Sequence, residues 1–218
     1  MVQKKMTGSE RREQLISIGR QAFAELGFDG TSVEEIASRA GVTKPVVYEH
    51  FGGKEGLYAV VVDREIKVLD GLISESLKDG SWRERIDKVA LTMLTYVEDE
   101  TDGFAILVRD SKPAVERSFS SLLSSAVNHV SVILERAFIR RGFDPELAPL
   151  YGQALVGTIS MTAQWWLDER SPDKETVAAH VVNLCWNGLS DLQKTPRLQS
   201  QKTQESPVPV PGVEEDVK

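Results

Sequence analysis

The stretch Ser32-Val33-Glu34-Glu35-Ile36-Ala37-Ser38-Arg39-Ala40-Gly41-Val42-Thr43-Lys44-Pro45-Val46-Val47-Tyr48-Glu49-His50-Phe51 decides how this chain folds. Ser32 followed three residues later by Glu35 has the form of a capping box, so a helix starts there. Ile36, Ala37 and Ala40 keep helical spacing until Gly41 stops it. Thr43 is the expected cap of the next helix, and Pro45 is tolerated because it falls in the first turn. That helix ends at Phe51, before Gly52-Gly53. Two short helices around a tight glycine turn form the helix-turn-helix arrangement, in which a rigid pair presents its second helix to the major groove of DNA. Ile36, Ala37, Ala40, Val42, Val47 and Phe51 supply the apolar contacts that lock the pair. Thr43, Lys44, Pro45, Val46, Tyr48 and His50 are left facing outward. On pattern alone, a generic helix pair competes with this reading.

Upstream, Leu15, Ile16, Gly19, Ala22, Phe23 and Leu26 share one face of a helix over residues 9–26, with Gly27 as its stop. Downstream, a long helix over 54–78 has apolar residues on two stripes and packs on two sides. Further helices are predicted over 82–99, 103–110, 114–141, 145–169 and 173–193. The one starting near Pro113 carries Val115, Phe119, Leu122, Ala126, Val130 and Ile133 on one stripe and a second stripe beside it, which reads as the centre of a bundle. There is no convincing strand, because the β-prone runs at 45–48 and 60–62 sit inside longer helical patterns. The fold class is all-α: an N-terminal three-helix helix-turn-helix domain, then a larger helical domain, about nine helices in all. The expected divisions are a flexible arm over 1–8, a DNA-binding domain over 9–69, a second domain over 70–194 and a disordered tail over 195–218. In that tail Pro196, Pro207, Pro209 and Pro211 interleave with Gln, Ser and Glu.

A net charge of −7 argues at first sight against nucleic acid. The distribution argues otherwise. Residues 1–56 hold eight Lys/Arg and eight Asp/Glu, so the whole deficit lies beyond them. An acidic body with a neutral, locally basic head binds DNA through its contact face, whatever its global sum. One cysteine, Cys185, excludes an internal disulfide framework and a Cys-rich metal site. It lies on an apolar stripe and reads as a buried structural thiol. The polar start has no signal-peptide character, so a cytoplasmic location is expected. Residues 147–167 are 21 without a formal charge, long enough to span a bilayer, but their Gln, Thr, Ser, Pro and Gly content fits a buried helix better, and no membrane partner is expected. His50, His129 and His180 form no metal motif, and no P-loop or G-x-G-x-x-G is present. No catalytic residue, metal or cofactor is expected.

The run from Gly27 to Ala37, then Ala40-Gly41-Val42-Thr43-Lys44, Val47-Tyr48-Glu49-His50-Phe51 and Lys54-Glu55-Gly56-Leu57 closely resembles the N-terminal domain of TetR-family transcriptional regulators. The likeness covers about residues 11–69 without a gap. It implies a transcriptional regulator, not an enzyme, most readily a dimeric repressor released from a double-stranded DNA operator by a small effector. It further implies that Thr43 and Lys44 open the recognition helix, with Lys44 reaching bases or phosphate. Tyr48 would give its hydroxyl to a phosphate, with His50 against the backbone nearby. Lys54 would hold another phosphate beside the amides of its helix start, and Thr31 and Ser32 would do the same from the other side. Where the family commonly has Gly or a small polar residue, this chain has Pro45-Val46, which can touch thymine methyls or read shape but cannot donate a hydrogen bond. Lys4, Lys5, Arg11 and Arg12 read equally as a basic arm toward the DNA and as a frayed terminus.

In the proteins it resembles, the last two helices pair with their copies in a second subunit, so a homodimer through residues 145–193 is expected. Leu150, Ala154, Gly157, Met161 and Trp165 form one candidate stripe; Val177, Val181, Leu184, Gly188 and Leu192 form another. The resemblance also implies a ligand cavity. Its candidate lining is Met93, Tyr96, Phe104, Leu107, Phe119, Leu123, Val127, Thr158, Met161 and Trp165, with Tyr96, Thr158, Arg109 or His129 as polar handles. Such a pocket suits an apolar or amphipathic effector. The alternative is a helical protein-interaction or small-molecule-carrier protein whose N-terminal helix pair does not touch DNA.

Overall fold

The computed structural model describes residues 6–109 and 118–198. Among them are nine α-helices and one 3-10 turn, and no strand. In order, the helices are α1 (Gly8–Gly30), α2 (Val33–Ala40), α3 (Lys44–Phe51), α4 (Lys54–Ser76), α5 (Trp82–Asp99), α6 (Thr101–Arg109), α7 (Phe119–Arg141), α8 (Ala148–Glu169) and α9 (Lys174–Ser190). The expected helix over 145–169 is divided: Pro145–Leu147 is the 3-10 turn, and α8 follows it. Lys4, Lys5, Val115 and residues 199–218 lie outside the described residues.

The local signals act as their chemistry dictates, with two exceptions. Thr7 and Glu10 close a reciprocal capping box at the start of α1, which runs regularly to Gly27, where a φ of 69° kinks it. At Ser32 only half of a box forms. The Ser32 hydroxyl accepts from the Glu35 amide at 3.1 Å, but the Glu35 carboxylate turns to Arg39 one helical turn on, at 2.7 Å. Thr43 occupies the N-cap position of α3 with extended backbone but makes no side-chain cap bond. Gly41, at φ 62°, holds the left-handed conformation that lets α2 end and the chain turn into α3 within three residues, a conformation costly for a residue with a β-carbon.

Helix α5 is the centre of the body. It packs against α4, α6, α8 and α9 and buries Ile86, Ala90, Met93, Leu94, Tyr96 and Val97. Helix α7, expected there, instead lies on one side, chiefly against α8. Of its apolar residues Phe119, Leu122, Leu134 and Phe138 are buried, whereas Val132 and Ile139 are exposed. Both stripes therefore reach the core only in part, Phe119 and Leu122 from one and Leu134 and Phe138 from the other, because only one flank of the helix has a close neighbour. Among the described residues α7 is also the one helix long and apolar enough to cross a membrane, which 148–169 is not. Cys185 is buried, and desolvation pushes its thiol pKa up, as expected of a structural thiol.

The head (α1–α3) meets the body twice. Helix α4 runs unbroken through the expected boundary at residue 69, and α6 packs directly against α1. At this second contact Arg20 Nε of α1 donates to Glu65 of α4 at 2.7 Å. Arg20 Nη2 donates to Glu100 at 2.6 Å, and the Tyr96 hydroxyl of α5 donates to the other Glu65 oxygen at 2.6 Å. Glu65 is 9% exposed, so its charge is taken from water and held by these partners, whereas Glu100 stays half in solvent. Gly103 of α6 makes the approach possible: a β-carbon there would sit 1.9 Å from the Glu65 carboxylate.

Candidate DNA-binding and ligand-binding sites

The helix pair is locked as its apolar spacing predicts. Ile36, Ala37, Ala40 and Val47 are buried, and Val42 and Phe51 pack against them half-buried. Helix α1 braces the pair from behind. Arg12 donates to the His50 carbonyl at 2.6 Å and lies 4.3 Å over the Phe51 ring, so this arginine is part of the frame. Arg11 bonds Gln14, whose amide reaches the Ala40 carbonyl at 3.4 Å.

Thr43, Lys44, Pro45 and Tyr48 are exposed, Val46 and His50 half-exposed, and all six belong to α3 or its cap. Tyr48 is 54% exposed, which is unusual for a tyrosine one residue from the buried Val47. Lys44 forms an ion pair with Glu34 across the turn, and this bond holds the Glu34 carboxyl below the usual carboxylate range. Ser32 is exposed. Its oxygen accepts from the Glu35 amide, and its hydroxyl also lies beside the Glu34 carboxylate, which it helps to hold ionised.

Two residues expected on phosphates have internal work. Thr31 is 2% exposed, with its hydroxyl 2.7 Å from the Gly27 carbonyl and 3.1 Å from that of Ala22. It therefore ties the kinked end of α1 to α2, and burial removes its side chain from the face it was assigned. Lys54 Nζ donates to the Phe28 carbonyl at 2.8 Å and sits 4.2 Å over the Phe28 ring. Only its remaining protons are available to a phosphate.

The ten residues expected around a ligand do not form one cluster. Met93 and Leu123 line an apolar chamber of about 70 Å³ bounded by α4, α5, α7 and α8. Leu107, Phe119, Leu123 and Val127 line an open cleft of about 310 Å³ along α6 and α7. Thr158 faces a groove of about 290 Å³ between α8 and α9. Tyr96 and Phe104 lie in the core in edge-to-face contact, and Phe104 meets Phe119 in the same way. Met161 and Trp165 are 62% and 49% exposed on the outer side of α8. Of the expected polar handles, Tyr96 is bound to Glu65, and burial, together with that bond, pushes its pKa up. Arg109 pairs with Asp168, and His129 is exposed.

Residues 15–61, which include this helix pair and its brace, match the family model for bacterial regulatory proteins of the tetR family. Over nearly its whole length the chain is similar to the transcriptional activator FasR of Mycolicibacterium smegmatis. The two are 27% identical over 191 residues, covering 85% of this chain and 86% of FasR. It is 26% identical to the transcriptional repressor KstR2 of Rhodococcus jostii, covering 84% and 92%. Residues 15–61 are thus a TetR-type helix-turn-helix region, and the chain as a whole is similar to transcriptional regulators. A TetR-like regulator from Rhodococcus sp. RHA1 shares its fold at a TM-score of 0.71 and 22% identity, with 84% of this chain and 98% of that one covered. The fatty acid degradation regulator FadR of Bacillus halodurans does so at 0.65 and 20%, with 82% and 96% covered. The chain is thus a helix-turn-helix, DNA-binding transcriptional regulator and not an enzyme.

In this regulator most of the chamber wall escaped the sequence reading. Trp82, Ile86, Val89 and Met93 recur every three or four residues along α5 and line it together, yet only Met93 had been singled out. The spacing was a usable signal. What it could not supply was that Ile73 of α4, Leu77 just beyond its end and Ile159 of α8 close the other sides.

Proposed function

We propose that the chain acts as a cytoplasmic homodimeric repressor that leaves its operator when an apolar ligand opens the chamber between α4, α5, α7 and α8. The exposed face of α3 carries the reading. Thr43 and Lys44 enter the major groove first, Pro45 and Val46 contact thymine methyls or follow shape, and Tyr48 and Ser32 donate to phosphates. His50 lies along the backbone, and Lys54 adds charge beside the start of α4. On DNA, Lys44 exchanges Glu34 for a base edge or phosphate. KstR2 is named a repressor and FasR an activator. A reporter placed under the bound promoter reads the sign here, rising on deletion of a repressor.

Dimerisation through 145–193 is supported by apolar side chains that the single chain leaves in water. Leu150, Met161 and Trp165 on α8 and Leu184 on α9 are all at least 49% exposed. They belong to the two stripes expected to pair with a second copy. A pair of heads reads two half-sites, which squares a weak single contact into a useful one.

The free volume of about 70 Å³ is well below the roughly 300 Å³ of an ordinary ligand pocket, so a ligand must push walls apart. The last turns of α4 form one wall, and the first turns of α4 lie against α3, so opening the chamber re-aims the heads. Their separation then departs from the roughly 34 Å of successive major grooves. A differential affinity of a few kcal/mol suffices.

The test is selection of genomic DNA fragments by the purified full chain at two salt concentrations. Enrichment of a two-fold-related site, weakened by salt and lost in Lys44→Ala/Tyr48→Ala, supports the proposal. Absence of enrichment at both salt concentrations refutes it.

A further inference from the structure

Lys174 of α9 pairs with Glu98 of α5 at one end of these helices, so they run antiparallel, and Trp82 and Trp186 come together at the other end. With the end of α7 they form a groove of about 260 Å³. Leu134, Phe138 and Leu189 are its buried floor, and the two half-buried tryptophans are its walls. Trp186 stands two residues after Leu184 and so on nearly the opposite side of α9, which puts the groove beside the proposed dimer stripe. Neither of these indole N–H groups has an acceptor among the described residues, whereas that of the buried Trp166 donates to the Pro172 carbonyl at 2.7 Å. Cations rim the groove. The Arg83 guanidinium lies 5.6 Å over the Trp186 ring, Arg141 holds the carbonyls of Leu189 and Ser190, and Lys194 Nζ lies beside Gly142. None of the three is ion-paired among the described residues, and Asp191, just past α9, is the acid on the same stretch of chain.

The groove is also where the chain comes off the body, since Leu192, just past α9, is part of its wall. Beyond the described residues the sequence runs Glu205-Ser206-Pro207-Val208-Pro209-Val210-Pro211-Gly212-Val213-Glu214-Glu215-Asp216. Pro207 comes nine residues after Leu198, about 30 Å of extended chain, so this segment is long enough to return to the groove. Each proline ring fixes its own φ and biases the residue before it toward extended backbone, so little entropy is lost on seating such a segment. An extended Pro-rich stretch has no internal hydrogen bonds, and aromatic-lined grooves recognise it through its rings and its free carbonyls. The acids at 214–216 complement the cationic rim.

We propose that residues 207–211 dock in this groove of their own chain. Their proline rings lie on Trp82 and Trp186, their carbonyls accept from the two indole N–H groups, and the acids at 214–216 lie against Arg83, Arg141 and Lys194. Trp82 also lines the chamber between α4, α5, α7 and α8, so the docked segment backs one chamber wall from outside. The contact stands whether or not the chamber takes a ligand.

The experiment is fluorine NMR of the full chain carrying fluorinated tryptophan, whose four signals are assigned by Trp82→Phe, Trp165→Phe, Trp166→Phe and Trp186→Phe. A soluble gadolinium chelate broadens each signal according to its exposure. Pro207→Ser/Pro209→Ser/Pro211→Ser alters the segment alone and leaves its charge unchanged. It should increase the broadening of Trp82 and Trp186 and leave Trp165 and Trp166 as they were. A synthetic peptide of residues 203–216, added at about the millimolar effective concentration of a short tether, should reverse that increase. The peptide carrying the three substitutions should not. Equal broadening of Trp82 and Trp186 in wild type and variant would overturn the docking and leave the groove to a separate partner. An increase at all four tryptophans would overturn it as well, because a general loosening of the fold would then explain the change.

Discussion

Replacing Gly103 with alanine should destabilise this protein although the site is helical. Alanine is ordinarily better than glycine within a helix by about 0.5–1 kcal/mol. At Gly103 the new β-carbon would lie 1.9 Å from Glu65 Oε2, 2.6 Å from Glu65 Cδ and 2.7 Å from Arg20 Nη2. An ordinary contact needs more than 3 Å, so the carboxylate must retreat by over 1 Å. It cannot do so freely, because Arg20 and Tyr96 hold its two oxygens at 2.7 and 2.6 Å. Weakening two charge-assisted hydrogen bonds costs about 1.5–3 kcal/mol each at most. With the helix gain subtracted, the net loss is about 2–4 kcal/mol, a fall of roughly 5–15 °C in Tm for a chain of this size. Gly71→Ala is the matched control. It is helical and exposed with nothing within 4 Å of the added carbon, and it should stabilise by about 0.5–1 kcal/mol. Urea unfolding followed by circular dichroism measures both. In a Glu65→Ala background only the end of the flexible Arg20 side chain, 2.7 Å from the added carbon, must give way, so the cost of Gly103→Ala should shrink sharply. A Gly103→Ala midpoint at or above wild type would refute the claim that the carboxylate is held in place.

Tyr96→Phe should cost about 2 kcal/mol through the lost bond to Glu65. Because Tyr96 keeps its proton longer in the folded state than the unfolded tyrosine, whose pKa is about 10, wild-type stability should fall as pH rises above about 10. The difference between wild type and variant should shrink there, and a pH-independent difference would show that the phenol ionises as freely folded as unfolded. Tyr48→Phe should weaken operator binding by about 1 kcal/mol while leaving stability unchanged, since the side chain is exposed; unaltered affinity would leave only the ring in contact. Lys54→Ala should lower the salt slope of binding by about 0.9 if its free protons reach a phosphate, and an unchanged slope would confine Lys54 to its bond with Phe28. Leu184→Glu should convert the proposed dimer to a single chain in sedimentation, and a wild type already sedimenting as one chain would refute the dimer.

What the sequence alone determined was local. The starts, stops and locking face of α2 and α3 were legible because each depends on residues three or four apart or on one glycine's conformation. Ser32, Gly41 and Val47 act where their spacing put them, and the exposed face of α3 follows by subtraction from the buried one. Tertiary structure decided what such spacing cannot carry. Thr31 and Lys54 were legible as polar residues at helix starts, but the kink at Gly27 brings carbonyls of α1 and its end within their reach and turns them inward. Helix α7 has apolar residues nearly all round, yet its place at the flank leaves Val132 and Ile139 in water. Tyr96 and Phe104 were picked as lining because aromatic residues line pockets. They fill core instead, since a side chain's role depends on which helices arrive opposite it. Gly103 shows the difference most sharply: its sequence neighbours ask for alanine, and a carboxylate 38 residues earlier in the chain forbids it.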